Sequence, residues 1–276
     1  MVRIIADTST MYSSAEAREA GFDVSPLAVA INGRTYRELD EMKSETFVSI
    51  INEGHMPTSS QPAIGDVVDL YHRHSEDEII NIAMADGLSG TYATAETAAR
   101  MCENQMITVI NSGTLCGPHR YMVETAARMA AAGHGRQAIC ERIAEMKKHH
   151  KSFLLPADFD YLRRGGRLSP LVSFVGKTIK LAPVLTQSED GRQLVMSGVK
   201  RSFKQAVSHV SKALQQFGTG DGWHIYITHA DAIQLAEEAK KLLLETFPNA
   251  IFEIFPLTPA FITQGGPGCV AIQAVK

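Results

Sequence analysis

Cysteine is scarce in this sequence and scattered along it. Four cysteines occur among 276 residues, at Cys102, Cys116, Cys140 and Cys269, and no two of them form a CxxC pair. That spacing is a poor fit to a disulfide framework or to a thiolate zinc site. We therefore expect reduced thiols and a cytoplasmic location.

Long apolar runs are also missing, and we expect no leader segment. No uninterrupted apolar stretch approaches the ~18 residues that a membrane-spanning helix needs. The first ten residues lack the basic segment and long apolar run of a signal peptide. We therefore expect no integral membrane association.

An excess of positive charge is absent as well. The formal net charge is −3, and the densest basic cluster, at residues 147–151, lies at the end of a predicted helix. Such a cluster is usually a solvated helix end. Without a basic surface, nucleic acid is a poor candidate for the main partner.

What is present is typical of a globular α/β protein. Hydrophobic residues make up 45% and charged residues 21%, and the length is more than one ordinary core requires. In the first half, apolar runs that predict strands alternate with amphipathic segments that predict helices. The predicted strands are at 2–6, 22–31, 78–84 and 106–110, and the predicted helices at 13–20, 45–52, 65–74, 90–102, 118–131 and 136–149. This alternation predicts a mainly parallel sheet with helices on its faces.

The second half has a different pattern, so we predict a domain boundary near residue 150. A hairpin is predicted around Glu189-Asp190-Gly191, and Asp231 is predicted to cap the helix that follows it. The predicted strands are at 152–155, 183–186, 193–197, 224–228, 251–255 and 269–274, and the predicted helices at 158–164, 202–216 and 232–246. The predicted domains are therefore residues 1–150 and 151–276.

Three polar, glycine-bearing loops fall where α/β proteins bind ligands, at residues 57–62, 86–92 and 263–268. A helix N-terminus exposes unpaired N–H groups and partial positive charge, so hydroxyls placed there suit an anion such as a carboxylate. The alternative is that Ser59, Ser60 and Ser89 only cap their helices.

Enzyme motifs fail on inspection. Gly176-Lys177-Thr178 resembles the end of a phosphate-binding loop, but Leu171 stands where that motif needs glycine. Residues 87–91 are not a nucleophile elbow, because the second glycine comes one residue early. No nucleophile–base pair is recognisable, and the paired histidines at 72/74 and 149/150 lack a carboxylate at metal-ligand spacing. The residues alone therefore predict no catalytic group, metal or cofactor, only a site suited to an anion.

Six fragments, in this order, carry a family resemblance over nearly the whole chain. They are Asp7-Thr8-Ser9, Ser59-Ser60-Gln61-Pro62, Gly87-Leu88-Ser89-Gly90-Thr91-Tyr92, Asp160-Tyr161-Leu162-Arg163-Arg164-Gly165-Gly166-Arg167-Leu168-Ser169, His229-Ala230-Asp231 and Gly266-Pro267-Gly268. Together they resemble the DegV family. The resemblance implies a three-layer α/β/α parallel-sheet domain, then a smaller two-layer α/β mixed-sheet domain. It also implies a long-chain fatty acid in a tunnel between the two.

Members similar to this chain serve as the fatty-acid-binding subunit of bacterial fatty acid kinase. There a separate ATP-dependent subunit phosphorylates the bound carboxyl group to an acyl phosphate for phospholipid synthesis. By this resemblance the chain is a lipid-binding subunit without its own catalytic residues, and its ligand is a fatty acid rather than a cofactor.

The same resemblance assigns roles to particular residues. It implies that Ser59, Ser89 and Gln264 bind the fatty-acid carboxylate. Arg167 and Arg201 are implied to face the kinase or the incoming phosphoryl group, since guanidinium groups suit phosphate; a structural ion pair is the alternative for each. The residues implied to support the loops are Ser60, Gly90, Thr91 and Gly266.

Two positions depart from the family pattern. Gln264 stands where the family often has histidine, and glutamine can hydrogen-bond a carboxylate but cannot titrate. Ala85-Asp86 replaces a pair of serines and brings a negative charge close to the implied carboxylate. These departures weaken the kinase role more than lipid binding. They leave open a regulatory binding module. The separate alternative is an enzyme acting on a small phosphorylated substrate in the same cleft.

Overall fold

The computed structural model describes residues 1–102, 106–169 and 181–276. The motif-like Gly176-Lys177-Thr178 and Leu171 lie outside the described residues. The chain divides into two compact units. The first is Met1–Lys148 with Thr258–Ala260, and the second is His149–Leu257 with Phe261–Lys276.

Strands and helices alternate through most of the first unit. Its described strands are β1 (Val2–Asp7), β2 (Asp23–Ser25), β3 (Ala28–Ile31), β4 (Arg34–Arg37), β5 (Thr58–Ser60), β6 (Glu78–Ala83) and β7 (Ile107–Asn111). Its described helices are α1 (Ser14–Glu19), α2 (Ser44–Asn52), α3 (Ile64–Arg73), α4 (Thr91–Met101), α5 (Cys116–Ala131) and α6 (Arg136–Met146). Each predicted helix of this half is present, with ends that differ by at most three residues.

The main sheet of the first unit is parallel, with strand order β2-β1-β6-β7. Successive strand residues point to opposite faces. Ile4 and Ala6 of β1 accordingly pack with α5 and α6, while Ile5 packs with α3 and α4. Helices therefore cover both faces of the sheet, and the predicted three-layer architecture is confirmed.

A second, smaller sheet in the first unit was not predicted. It is antiparallel, with order β4-β3-β5. The single strand predicted at residues 22–31 is wrong, because Pro26 separates β2 from β3 and the two strands belong to different sheets. Proline has no N–H to donate to a ladder, so it interrupts the pairing.

The second unit is built on a mixed sheet with order β10-β9-β8-β13-β11-β12. Its described elements are β8 (His150–Leu155), α7 (Phe159–Gly165), β9 (Ala182–Gln187), β10 (Leu194–Lys200), α8 (Phe203–Phe217), β11 (His224–His229), α9 (Ile233–Leu244), β12 (Ile251–Pro256), α10 (Pro259–Gly265) and β13 (Val270–Val275). The first two residues of α10 belong to the first unit. The β9–β10 hairpin is confirmed. The helices α8 and α9 share one apolar core with the sheet, which gives the predicted two-layer domain.

Two local predictions in the second half are wrong. Asp231 does not cap α9: the N-cap is Ala232, which has no side-chain cap, and the Ala232 N–H donates to Nδ1 of His229 at 3.2 Å. Residues 263–265, predicted as loop, form the end of α10. None of the helices in the described ranges has the length and apolar character that crossing a membrane requires.

Candidate functional site

The carboxyl ends of β1 and β6 lie next to each other in the parallel sheet of the first unit. After β1 the chain enters α1, whose Ala17 packs on the α5–α6 face. After β6 it enters α4, whose Ala98 packs on the opposite face. Open α/β sheets bind ligands at the point where the connections after two neighbouring strands pass to opposite faces of the sheet. The loop that carries Ser89 begins at this edge.

Asp7 fixes the start of the Ser89 loop. Its carboxylate is almost fully buried and accepts the Met84 N–H at 2.9 Å and the Ser9 N–H at 2.9 Å. From the other side, the Ala85 N–H donates to the Thr114 carbonyl at 2.9 Å. The backbone leading to Ser89 is therefore held by two neighbouring segments.

Ser89 lies at the N-terminal end of α4. Its Oγ is 2.8 Å from Oγ1 of Thr91 and accepts the Thr91 N–H at 3.3 Å. Ser89 is nevertheless not the N-cap of α4: that residue is Gly90, and it has no side-chain cap. Because α4 spans eleven residues, its first turn also offers the partial positive charge and the amide groups that favour an anion.

Ser59 and Ser60 lie on β5 rather than in a loop. Ser59 is paired with Val29 of β3, which is buried, and directly opposite residues of antiparallel strands share a face. The half-buried Ser59 thus faces inward, and the exposed Ser60 points to the other side. Capping is wrong for both serines, because α3 begins after Ala63 without a side-chain cap.

The first two predicted loops meet at Gly90. A Cβ atom placed on Gly90 would lie 3.2 Å from Cδ and Oε1 of Gln61. Glycine at this position lets residues 57–62 pack closely against the turn that carries Ser89. The structure therefore brings these two predicted site loops into contact.

Negative charge surrounds the same turn. The Tyr92 hydroxyl donates to Oε1 of Glu96 at 2.8 Å. This hydrogen bond, followed by partial burial and the charges of Glu96 and Asp86, raises the pKa of Tyr92. Asp86 thus contributes to the electrostatics of the turn.

The second unit brings together the C-terminal ends of α7 and α10. A Cβ atom placed on Gly165 would lie 1.9 Å from Oε1 of Gln264, and one placed on Gly266 would lie 2.8 Å from Cδ2 of Tyr161. Gly266 has φ of 75°, a conformation that favours glycine. These glycines leave room for the side chains of Gln264 and Tyr161.

Arg167 belongs to this cluster and Arg201 lies away from it. Nη1 of Arg167 donates to the Gly165 carbonyl at 2.5 Å, and the Arg167 carbonyl accepts the Leu194 N–H at the start of β10. The exposed Arg201 follows the end of β10. At ~3.3 Å per strand residue, the two arginines lie about 20 Å apart along the strand.

Sequence reasoning missed a buried Ser–His pair in the first unit. Ser9 Oγ lies 2.5 Å from Nδ1 of His119, and Nε2 of His119 lies 2.8 Å from the Ile82 carbonyl. Because a carbonyl only accepts, Nε2 carries the proton and Nδ1 accepts the Ser9 hydroxyl. Both side chains are 0% exposed, and burial lowers the pKa of His119. Such burial supports a structural role for this pair.

The sequence signal for that pair is weak. Ser9 lies in the Asp7-Thr8-Ser9 motif, but its partner is 110 residues away.

Within the residues that the structure describes, no group of three or more His, Cys, Asp or Glu side chains is placed to hold a metal ion.

Comparisons with known proteins agree over the full length. The chain is 26% identical over 276 residues to a DegV domain-containing protein of Listeria innocua, covering 98% of this chain and 97% of that protein. Its fold is similar to DegV of Bacillus subtilis, described as a fatty acid binding protein, with TM-score 0.87, 26% identity and coverage of 99% and 98% of the two chains. A DegV family protein from Thermus thermophilus shares the fold with TM-score 0.88 at 23% identity, over 100% and 99% of the two chains.

The family comparison covers every residue. The sequence model described as "Uncharacterised protein, DegV family" matches residues 1–276, and each of the six fragments that carry the resemblance lies within that match. The chain therefore belongs to the DegV family.

Proposed function

We propose that this protein binds one long-chain fatty acid and presents its carboxyl group to a separate ATP-dependent kinase, in the cytoplasm. The observation that carries the proposal is the similarity to the Bacillus subtilis fatty acid binding protein over 99% of this chain. The polar groups gathered in each unit supply the chemistry that a carboxylate needs.

Ser89 and Ser59 are the proposed carboxylate ligands of the first unit. Ser89 lies two residues before the start of α4, next to a first turn whose amide groups and helix dipole favour negative charge. Ser59 is the serine of β5 that faces inward. A hydroxyl donates one hydrogen bond to a carboxylate oxygen without bringing a charge of its own. In this proposal Ser60, Gly90 and Thr91 support the two loops.

Gln264 is the proposed carboxylate ligand of the second unit. Its amide nitrogen has two protons to donate, and it stays neutral at every pH. Gly165 leaves space for the end of this side chain, and Gly266 lets the chain turn directly after α10. The departure from histidine therefore keeps hydrogen bonding and removes titration.

The acyl chain supplies most of the affinity in this proposal. Burial of one methylene is worth ~0.8 kcal/mol, so a chain of about 14 methylenes offers on the order of 11 kcal/mol before ordering costs. The polar ligands then chiefly fix the position of the carboxyl group. A ligand held this strongly stays bound through purification.

Arg201 and Arg167 have different proposed roles toward the kinase. Arg201 is exposed after β10 and suits an anionic surface of the partner. Arg167 is half-buried and tied to Gly165, so it suits the phosphoryl group at the site. The distance between them along β10 favours two separate contacts.

Mass spectrometry of lipids extracted from the purified protein tests the proposal. We expect about one fatty acid per chain, in line with the single site proposed. Protein that is free of lipid after mild purification, and that fails to take up palmitate or oleate, would contradict it.

Thermal shift assays separate the alternatives. Stabilisation by oleate and palmitate supports the fatty acid carrier. Stabilisation by glucose 6-phosphate alone would favour an enzyme acting on a phosphorylated substrate. A regulatory module would bind lipid without passing its carboxyl group to any ATP-dependent kinase.

A further inference from the structure

Glu38 is a buried carboxyl group that is not among the proposed ligands of the fatty acid. It follows β4 directly and is 0% exposed. Its Oε1 accepts the Thr8 hydroxyl at 2.5 Å, and its Oε2 accepts the Ala260 N–H at 2.8 Å. A carboxyl group is costly to bury unless it is hydrogen-bonded. These two contacts join the end of β1 to the first turn of α10.

The Thr8 end of this network is firmly held. Thr8 Oγ1 also accepts the Leu27 N–H at 2.9 Å. Its neighbours in the chain, Asp7 and Ser9, bond to Met84 and His119. Three consecutive buried side chains thus tie three different segments to the carboxyl end of β1.

The Ala260 end leads to the proposed carboxylate ligand. Thr258–Ala260 belongs to the first unit, while α10 continues into the second. Gln264 comes four residues after Ala260, which is about one helical turn. Gln264 therefore extends from the same helix, one turn beyond the residue whose N–H bonds to Glu38.

We propose that Glu38 is a positioning residue of the fatty acid site: it holds the first turn of α10 and thereby places Gln264, so that its ionisation links lipid retention to pH. The inference rests on the proposed function, because it needs a ligand for Gln264. It adds to that function a residue and a form of regulation that the resemblance does not assign.

The direction of the pH effect follows from the environment of Glu38. Burial is the main cause that raises its pKa from 4.5 to about 7, against the hydrogen bonds from Thr8 and Ala260, and the charge of Asp7 adds to the rise. Asp7 faces it from β1, and α10, with the sequence PAFITQG, has no ionisable side chain. Opening of the contact lets the carboxyl group ionise in water, so opening becomes more favourable as pH rises from 4.5 to 7. Above about pH 7 the effect levels off.

Three variants test the proposal with palmitate as the probe. Glu38→Gln keeps the size and mimics the neutral acid, because its oxygen accepts from Ala260 and its nitrogen donates to Thr8. Glu38→Ala removes both contacts. Glu41→Gln is the matched control, since Glu41 is exposed and lies three residues away.

We expect the dissociation constant of the wild type and of Glu41→Gln to rise roughly fivefold or more from pH 5 to pH 7, within the usual range of coupling between sites. Glu38→Gln should keep its low-pH affinity throughout. A Glu38→Gln protein that follows the wild-type pH profile would overturn the inference.

Hydrogen exchange of residues 258–264 without ligand gives an independent result. Glu38→Ala should lose protection there, while Glu41→Gln and Glu38→Gln at pH 6 should keep it. Unchanged protection in Glu38→Ala would refute the positioning role even where palmitate binds. Wild-type protein that binds no palmitate at any pH, with the exchange result as expected, would instead refute the proposed function alone.

Discussion

The end of the Gln264 side chain occupies the space that a side chain at Gly165 would need: a Cβ atom on Gly165 would lie 1.9 Å from Oε1 of Gln264. The atom that must move is the far end of a flexible side chain, and Gly165 has no positive φ. Alanine at 165 should therefore displace the amide of Gln264 while the fold stays intact. Two contacting residues, from α7 and α10, thus provide a direct way to perturb the proposed carboxylate ligand.

Gly165→Ala is expected to weaken palmitate binding roughly tenfold, comparable to the loss of one hydrogen bond to a charged group. Isothermal titration calorimetry measures the change. Gly220→Ala is the control, because nothing lies within 4 Å of a Cβ atom there. Equal affinity of the two variants would argue against Gln264 as a ligand.

Ser59→Ala and Ser60→Ala form a matched pair on β5. The two serines are adjacent, but only Ser59 shares a face with the buried Val29. We expect Ser59→Ala to weaken palmitate binding about tenfold and Ser60→Ala to change it less than about twofold, since only an inward hydroxyl reaches the ligand. The same calorimetry decides it, and a larger effect from Ser60 would exclude this orientation of β5.

Ser89→Ala should affect both stability and binding. Loss of the oxygen that accepts the Thr91 N–H is expected to cost about 1 kcal/mol of unfolding free energy, as for a typical intramolecular hydrogen bond. Ser13→Ala is the control, because Ser13 caps α1 through a capping box. Urea unfolding should show similar losses in both variants, whereas palmitate affinity should fall in Ser89→Ala alone. A parallel loss of affinity in both would mean that Ser89 acts only through stability.

The parts of the fold that follow from local patterns could be predicted. Strand β6 and helix α4 are consecutive elements, so the apolar periodicity and the glycines between them predict Ser89 at the turn that joins them. The pairing of β5 with β3 was missed because three-residue strands of polar side chains carry no alternation signal. It is a long-range contact, decided by tertiary packing rather than by local preference.

The candidate site likewise combines a feature that a local sequence pattern predicts with one that depends on a long-range contact. The turn around Ser89 was visible in one stretch of sequence, whereas Glu38 acquires its role from Ala260, 222 residues further along the chain. One hydrogen bond joins Glu38 to Ala260 and a second joins it to Thr8, and neither leaves a motif. A single charged residue after β4 is, in sequence terms, indistinguishable from an exposed one.

His119 should make stability fall in acid. Burial lowers its pKa below the ordinary value of 6.5, so the unfolded chain binds the proton more tightly than the folded one. Its contribution to stability is therefore present above pH 6.5 and is lost as the pH falls through the folded pKa. Glu38, whose pKa is raised, acts in the opposite direction over pH 4.5 to 7.

Comparing variants isolates the contribution of His119. His119→Gln cannot titrate, so between pH 7.5 and pH 5 it should lose less unfolding free energy than the wild type in urea titrations. Ser9→Ala should cost about 1 to 3 kcal/mol at pH 7.5, because Nδ1 of His119 is then buried without its donor. His134→Gln, at an exposed histidine, is the control and should follow the wild type at both pH values. If His119→Gln also follows the wild type, protonation of His119 does not contribute to acid unfolding, and the Ser9–His119 bond matters through packing alone.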